Sequence, residues 1–320
     1  MKYLLVGFLI MSCMAASAQR QNVYFFKNNG RQVTQRDSAD YTRVVREPDS
    51  GSVLYKVLEY YLDGRPRRMA LSSAIEPIKL EGACIEYYDN GKRKSVLNYS
   101  KGALAGEQFH YYRNGNLAET REYAAVDKSK ALSEQVYLIM AFNDSLGKAL
   151  VTNGNGRYKK IEGGTKPKVS EGELKKGLKD GEWKISVNRD SLLLTETYKE
   201  GKLVSGMAQL ANGQSYTYTK SEALPQFEGG TPAFNKFLSK NLRYPSEAIS
   251  KRIQGRVNVT FVVETDGTLN DVRAVGGSPN PLLAAEAIRV IKESPKWIPG
   301  VQYGRNVRVK YTVPIVFNLP

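Results

Sequence analysis

Cysteine is nearly absent: the 320 residues hold two, Cys13 and Cys84, which excludes a disulfide-stapled fold. Histidine is scarcer still, with His110 alone. One histidine and two distant cysteines cannot build an ordinary zinc or iron site. A Ser-His-Asp triad would hang on His110, which reads as part of a repeat turn and as a half-buried ring. The glycine-rich "GGTP" at 229–232 and "NGNG" at 153–156 lack the strand–GxxxxGK–helix setting of a phosphate loop. The chain therefore reads as a non-enzyme that needs no cofactor and no metal. Acidic residues are also in deficit, 32 against 47 Lys and Arg, for a net charge of +15. The cations are scattered rather than clustered, so they read as a solvated surface and not as a nucleic-acid footprint.

Long apolar runs are missing but for "YLLVGFLIM" at 3–11. It follows Lys2 and precedes Ala16-Ser17-Ala18, the pattern of a secretory signal peptide cleaved after Ala18. A bilayer span takes about 20 residues, so this run is short for an anchor. Ile10-Met11-Ser12 is a poor lead-in for acylation at Cys13. The reading is an exported, periplasmic protein, with membrane association as the variant if the leader stays on. Cys84, in "GACIEYY", then remains as a small buried hydrophobe rather than a reactive thiol.

What is abundant is tyrosine, 20 residues, and glycine, 28, a composition that favours strands punctuated by turns. Two signals recur. One is an aromatic pair before a turn: "EYYLDG" at 59–64, "EYYDNG" at 86–91 and "HYYRNG" at 110–115. The other is Y-x-x-G-x-L, at 99–104 and 198–203. Gly64, Gly91 and Gly115 recur about every two dozen residues, the period of a repeat array. Asn-Gly and Asp-Gly supply the positive φ of tight turns, so each unit reads as an antiparallel β-hairpin. These units resemble MORN repeats over roughly 55–215, loosely between 120 and 170. "GELKKGLKDGEWKI" at 172–185 restores the rhythm, and 19–54, with "FFKNNG", reads as a divergent first hairpin.

The pattern changes at "SEALPQFEGGTP", 221–232. Thr231-Pro232 starts a helix with Phe234, Phe237, Leu238 and Leu242 on one face. Tyr244-Pro245 opens a short second helix, which Gly255 ends. From Arg256 to Glu264 the strand alternates, with Val257, Val259, Phe261 and Val263 facing one way. After Asp266-Gly267 a partner strand returns, its Leu269 and Val272 out of phase as at a bulge. Asn280-Pro281 caps a helix, "KWIPG" crosses back, and Val307–Leu319 forms the last strand. The expected organisation is a leader, 1–18; a mainly β hairpin-repeat region, 19–220; a linker, 221–230; and an α+β module, 231–320. In that module a three-stranded antiparallel sheet carries helices on one face, and the two parts are expected to fold independently.

"FEGG", "RYPSEA", "IQGRVNVTFVVETDGTLNDV", "AIRVIKESPKWIPG" and "VRVKYTVPIVFNL" occur in order along 225–320. Here the chain resembles the TonB family C-terminal domain behind MORN-like repeats, as in Bacteroidetes-type exported proteins. The resemblance implies a TonB-like adaptor that serves TonB-dependent transport. It would bind a peptide of an outer-membrane transporter, or another envelope protein, by adding a strand beside its own last strand. The implied contact residues are Asn241, Arg243, Tyr244 and Pro245, with Val307, Arg308, Val309, Lys310, Tyr311, Thr312 and Val313. The family's best-known form has glutamine at the place of Asn241, and Pro314 limits the ladder. A homodimer through the same strand is a further implied partner. The alternative is an envelope scaffold whose repeats bind protein, lipid or glycan. The leader reading is checked by cell fractionation with N-terminal mass analysis. A soluble chain starting at Gln19 is expected, and an intact Met1 in the inner membrane contradicts it.

Overall fold

The computed structural model describes residues 20–123, 137–163, 167–187, 192–276 and 280–319. The expected leader and Cys13 lie outside the described residues. The chain divides into two compact units, one of residues up to Arg157 with Leu174–Leu178, the other of Tyr158–Glu173 with Lys179 onward.

In the first unit antiparallel strands follow one another. Gln21–Phe26 pairs with Tyr41–Arg46, and then Tyr55–Tyr61, Pro66–Ile75, Ile78–Tyr87, Arg93–Ser100, Ala103–Tyr111, Leu117–Tyr123 and Tyr137–Asn143 each pair with the next. The turns are of two kinds. At Lys101-Gly102 and Asn153-Gly154 both residues have positive φ, the two-residue hairpin turn whose twist matches its strands. After each tyrosine pair only the glycine does: Gly64, Gly91 and Gly115 have φ of 87°, 80° and 93°. Gly64 N–H donates to Tyr61 O and Tyr61 N–H to Arg65 O, and the other two turns repeat this. The register slips by one residue beside each turn, which makes them three-residue loops closed by a glycine bulge.

The second tyrosine of each pair ties one repeat to the next. The hydroxyls of Tyr61, Tyr88 and Tyr112 donate to the carbonyls of Tyr87, Tyr111 and Asn143, each at 2.8 Å. The first tyrosine of each pair stays in the ladder, opposite Pro66, Arg93 and Leu117, and the hydroxyl of the second lands at the start of the next turn.

One face of this sheet carries a row of polar rungs. Across the strands Tyr24, Arg43, Glu59, Arg68, Glu86, Ser95, His110 and Glu119 stand opposite one another in sequence. His110 is therefore a ladder residue, next to the end of Ala103–Tyr111, and not in a turn. The Glu59 side chain is wholly shielded from solvent, and Arg43 at 2.8 Å, Arg68 at 3.3 Å and Arg67 hold it. Arg68 also reaches Glu86 at 2.7 Å, and Ser95 donates to Glu86 at 3.0 Å. Burial works to raise the Glu86 carboxyl, but the bond and charge of Arg68 outweigh it and hold the pKa below the ordinary value. On the same face Cys84 packs with Val57 and Ala70, and burial pushes its thiol up to about 11, which leaves it unreactive.

In the second unit residues 181–187, Leu192–Lys199, Lys202–Leu210 and Ser215–Tyr218 continue the hairpin pattern. The C-terminal module has the expected three-stranded sheet, in the order Leu269–Val275, Gly255–Val263, Val309–Phe317. Its core is Val257, Val259, Phe261, Val263, Val313, Ile315 and Phe317 under Phe234 of the first helix, Gly230–Asn241, and Leu283, Ala287, Val290 and Ile291 of the last, Pro281–Lys292. Asn280 Oδ1 accepts from Leu282 N–H at 3.0 Å, the expected cap. The bulge also stands, at Thr260–Val262, with Asp271 at φ 50°.

Four readings need correction. The first helix is capped by Gly229, at φ 81°, so Thr231-Pro232 lies in its first turn. The second helix ends at Ser250, and Gly255 opens the strand that follows. The last strand begins at Val309, not Val307, because the chain turns at Tyr303-Gly304. Arg305–Val307 folds back on Gly300–Gln302, which places Val307 opposite Gly300. The segment expected as linker also carries structure: Glu222–Ala223 pairs with Val301–Gln302.

The two kinds of cross-strand tie differ in expected weight. Tyr88→Phe removes one hydrogen bond and costs about 1 kcal/mol. Glu59→Ala removes the carboxylate shared by Arg43, Arg67 and Arg68, leaving Arg68 to Glu86 alone, and costs about 3–5 kcal/mol. Urea unfolding of the full chain checks both values and their order.

Candidate docking edge

Among the described residues, the sheet order leaves the Val309–Phe317 strand paired on one side only. Its ladder with Gly255–Val263 runs without a slip from Val309↔Val263 to Phe317↔Gly255. Alternation sends Val313, Ile315 and Phe317 into the core and leaves Lys310, Thr312, Pro314 and Val316 exposed. Thr260 Oγ1 on the partner strand donates to Tyr311 O at 3.1 Å, so the main chain of Tyr311 faces inward.

Beside the strand's unpaired side lies a cleft of about 280 Å³. Phe227, Phe234, Trp297 and Tyr311 supply its aromatic wall, Gln226, Thr231 and Asn235 its polar groups, and Thr312, Val313 and Pro314 its border on the strand. Trp297 is the hub, edge-on to Phe227, Phe234 and Phe261 at 5.9, 5.4 and 5.1 Å and to Tyr311 at 5.7 Å. Its Nε1 donates to Ser294 Oγ at 2.9 Å, and its backbone N–H to Gly267 O at 2.9 Å. The Asp266-Gly267 turn thus sets the depth of Trp297. Bonds from the Thr268 hydroxyl and N–H, and then Lys296, hold the Asp266 carboxyl at about 2.

Of the residues the family pattern implies, Val309–Val313 line this edge. Val307 sits in the preceding hairpin. Arg308 Nε donates to Glu264 Oε2 at 2.7 Å, a bond that raises the guanidinium and lowers the carboxyl pKa. Lys296 pairs with Asp266 at 3.3 Å. The other group is tied elsewhere. Asn241 O accepts from Arg289 and Arg243 N–H donates to Glu286 Oε1 at 2.6 Å, both on the last helix. Tyr244 donates to Ile253 O at 2.6 Å and stands edge-on to Phe317, at the far end of the docking strand from the cleft. Pro245 opens the second helix.

Phe234 read as part of one face of the first helix and Trp297 as part of a crossing loop; both are core residues, and with Phe227 they also line the cleft. Their signal was the spacing of "QFEGG" and "KWIPG" around the last strand, which does not tell a core ring from one that lines an opening.

Residues 240–319 match the family model described as Gram-negative bacterial TonB protein C-terminal. Residues 80–101 and 104–125 match the MORN repeat variant. No curated protein matches the chain. A segment similar to the TonB C-terminal domain thus lies behind segments similar to MORN repeats, families of non-catalytic kinds. A Cβ at Gly267 would lie 2.1 Å from Trp297 O, and its φ is +83°. Gly267→Ala should therefore cost about 2 kcal/mol or more and shift tryptophan fluorescence as Trp297 is displaced. Denaturation followed by fluorescence checks it.

Proposed function

We propose that this TonB-type domain, residues 231–320, is the docking module of a periplasmic adaptor. It captures an extended peptide of an outer-membrane transporter as an added strand along Val309–Phe317. The observation that carries the reading is the strand's unpaired side with an aromatic cleft at its border. In strand addition the main chain supplies affinity and side-chain pockets supply selectivity. A proline is tolerated in a paired strand where its nitrogen faces away from the ladder. Pro314 and the inward Tyr311 carbonyl give the same parity. The outward N–H groups are then those of Lys310, Thr312 and Val316, and of the other implied group Tyr244 meets the strand at Phe317.

Charge tunes the encounter. Arg308 is engaged by Glu264, so Lys310 is the cation the edge offers to an acidic peptide. Steering of this kind acts on the on-rate and fades with salt.

The test is calorimetric titration of the full chain with synthetic peptides from transporter N-terminal segments. Thr312→Pro removes an outward donor and should weaken binding roughly tenfold. Lys310→Glu should weaken it at low salt and by more than Arg308→Glu. Phe234→Ala should weaken peptides with a large apolar side chain more than those without one. Absence of binding by every peptide at low salt, or equal loss with Arg308→Glu and Lys310→Glu, refutes the docking reading and leaves self-association or a scaffold role.

A further inference from the structure

A repeat array leaves the core of its last unit uncovered unless some element closes it. Here that core is Ile185, Leu192, Leu194, Ala208 and Tyr218. A residue from far along the chain packs against it: the ring of Tyr303 lies 5.7 Å from that of Tyr218. Tyr303 occupies the two-residue turn of the 300–307 hairpin. Both turn residues have positive φ, the conformation of the repeat turns Lys101-Gly102 and Glu200-Gly201.

Backbone contacts fix the same approach. Tyr303 N–H donates to Ser221 O at 2.7 Å. At Gly304, φ +78°, a Cβ would stand 2.6 Å from Thr217 O and 3.2 Å from Tyr216 Cβ, so only glycine lets the turn come this close. Below the turn, Gln302 and Val301 pair with Glu222 and Ala223, and Gln302 Nε2 donates to Glu222 Oε1 at 3.1 Å.

We propose that the Gly300–Val307 hairpin is the terminal cap of the repeat array, carried by the C-terminal module. The last hairpins, 192–218, and the module then open as one unit rather than as two domains on a linker. The hairpin passes through Arg308 directly into the Val309–Phe317 strand. A load on that strand reaches the array through paired backbone and a packed ring, whether or not the strand binds a peptide.

The experiment is hydrogen exchange of the full chain, read by mass spectrometry. Tyr303→Ala should speed exchange roughly tenfold or more in 192–218 as well as in 300–307, and Tyr303→Phe, which keeps the ring, should leave both near wild type. Loosening confined to 300–307, or no change in either segment, overturns the proposal. Wild-type exchange in rising urea needs no variant. The segments 192–218 and 300–317 should open at one shared free energy, and two separate thresholds overturn the proposal as surely.

Discussion

A β-strand carries a main-chain donor or acceptor on each side, and an unpaired side is open to another strand. The arrangement of this molecule follows from how each such side is treated. In the repeats nearly every side is spent on the next strand of the hairpin series. The short strand Glu222–Ala223 is spent on Val301–Gln302. The Val309–Phe317 strand differs: its outer side borders a cleft, and its proline sits where a missing N–H costs the ladder nothing.

A sheet of hairpins must also settle the polar groups on its faces. The first unit does so by opposing unlike charges along Arg43, Glu59, Arg68 and Glu86, with arginines approaching the solvent-shielded Glu59 side chain from both neighbouring strands. This makes register a matter of electrostatics as well as of side-chain size. A slip of one residue would turn Glu59 and Arg68 to the opposite face. The glycine bulges absorb the extra residue at each turn and keep the rungs opposed, while the tyrosine hydroxyls fix the spacing between turns. Geometry at the loop ends and charge on the sheet face support the same register.

Much of this was legible in the sequence because it is local. Asn280 before Pro281, the alternation of Val257 to Val263, and the glycine after each tyrosine pair act within a few residues. The row from Arg43 to Glu119 was not legible, since pairing across strands depends on where each bulge falls. The 300–307 hairpin was missed because three-residue strands leave no periodic signal, and "RNVRVKY" reads as one continuous strand until Tyr303-Gly304 is recognised as a turn. The cleft was missed for a related reason: Trp297 and Phe234 are core residues, as their neighbours in sequence suggest, and only their packing beside Tyr311–Pro314 shows that they also line an opening. The Tyr303-Gly304 turn gives Val307 and Arg308 partners within the chain, Gly300 across the hairpin and Glu264 across the ion pair.

The central claim is that the outer side of the last strand is a place for one more strand. Residue-resolved amide exchange of the full chain, with and without a saturating transporter peptide, addresses it directly. The account predicts new protection at Lys310, Thr312 and Val316, with little change at Val309, Tyr311 and Val313, whose N–H groups already face the Gly255–Val263 strand. Binding that leaves Lys310, Thr312 and Val316 unprotected, or that protects both parities alike, would contradict it.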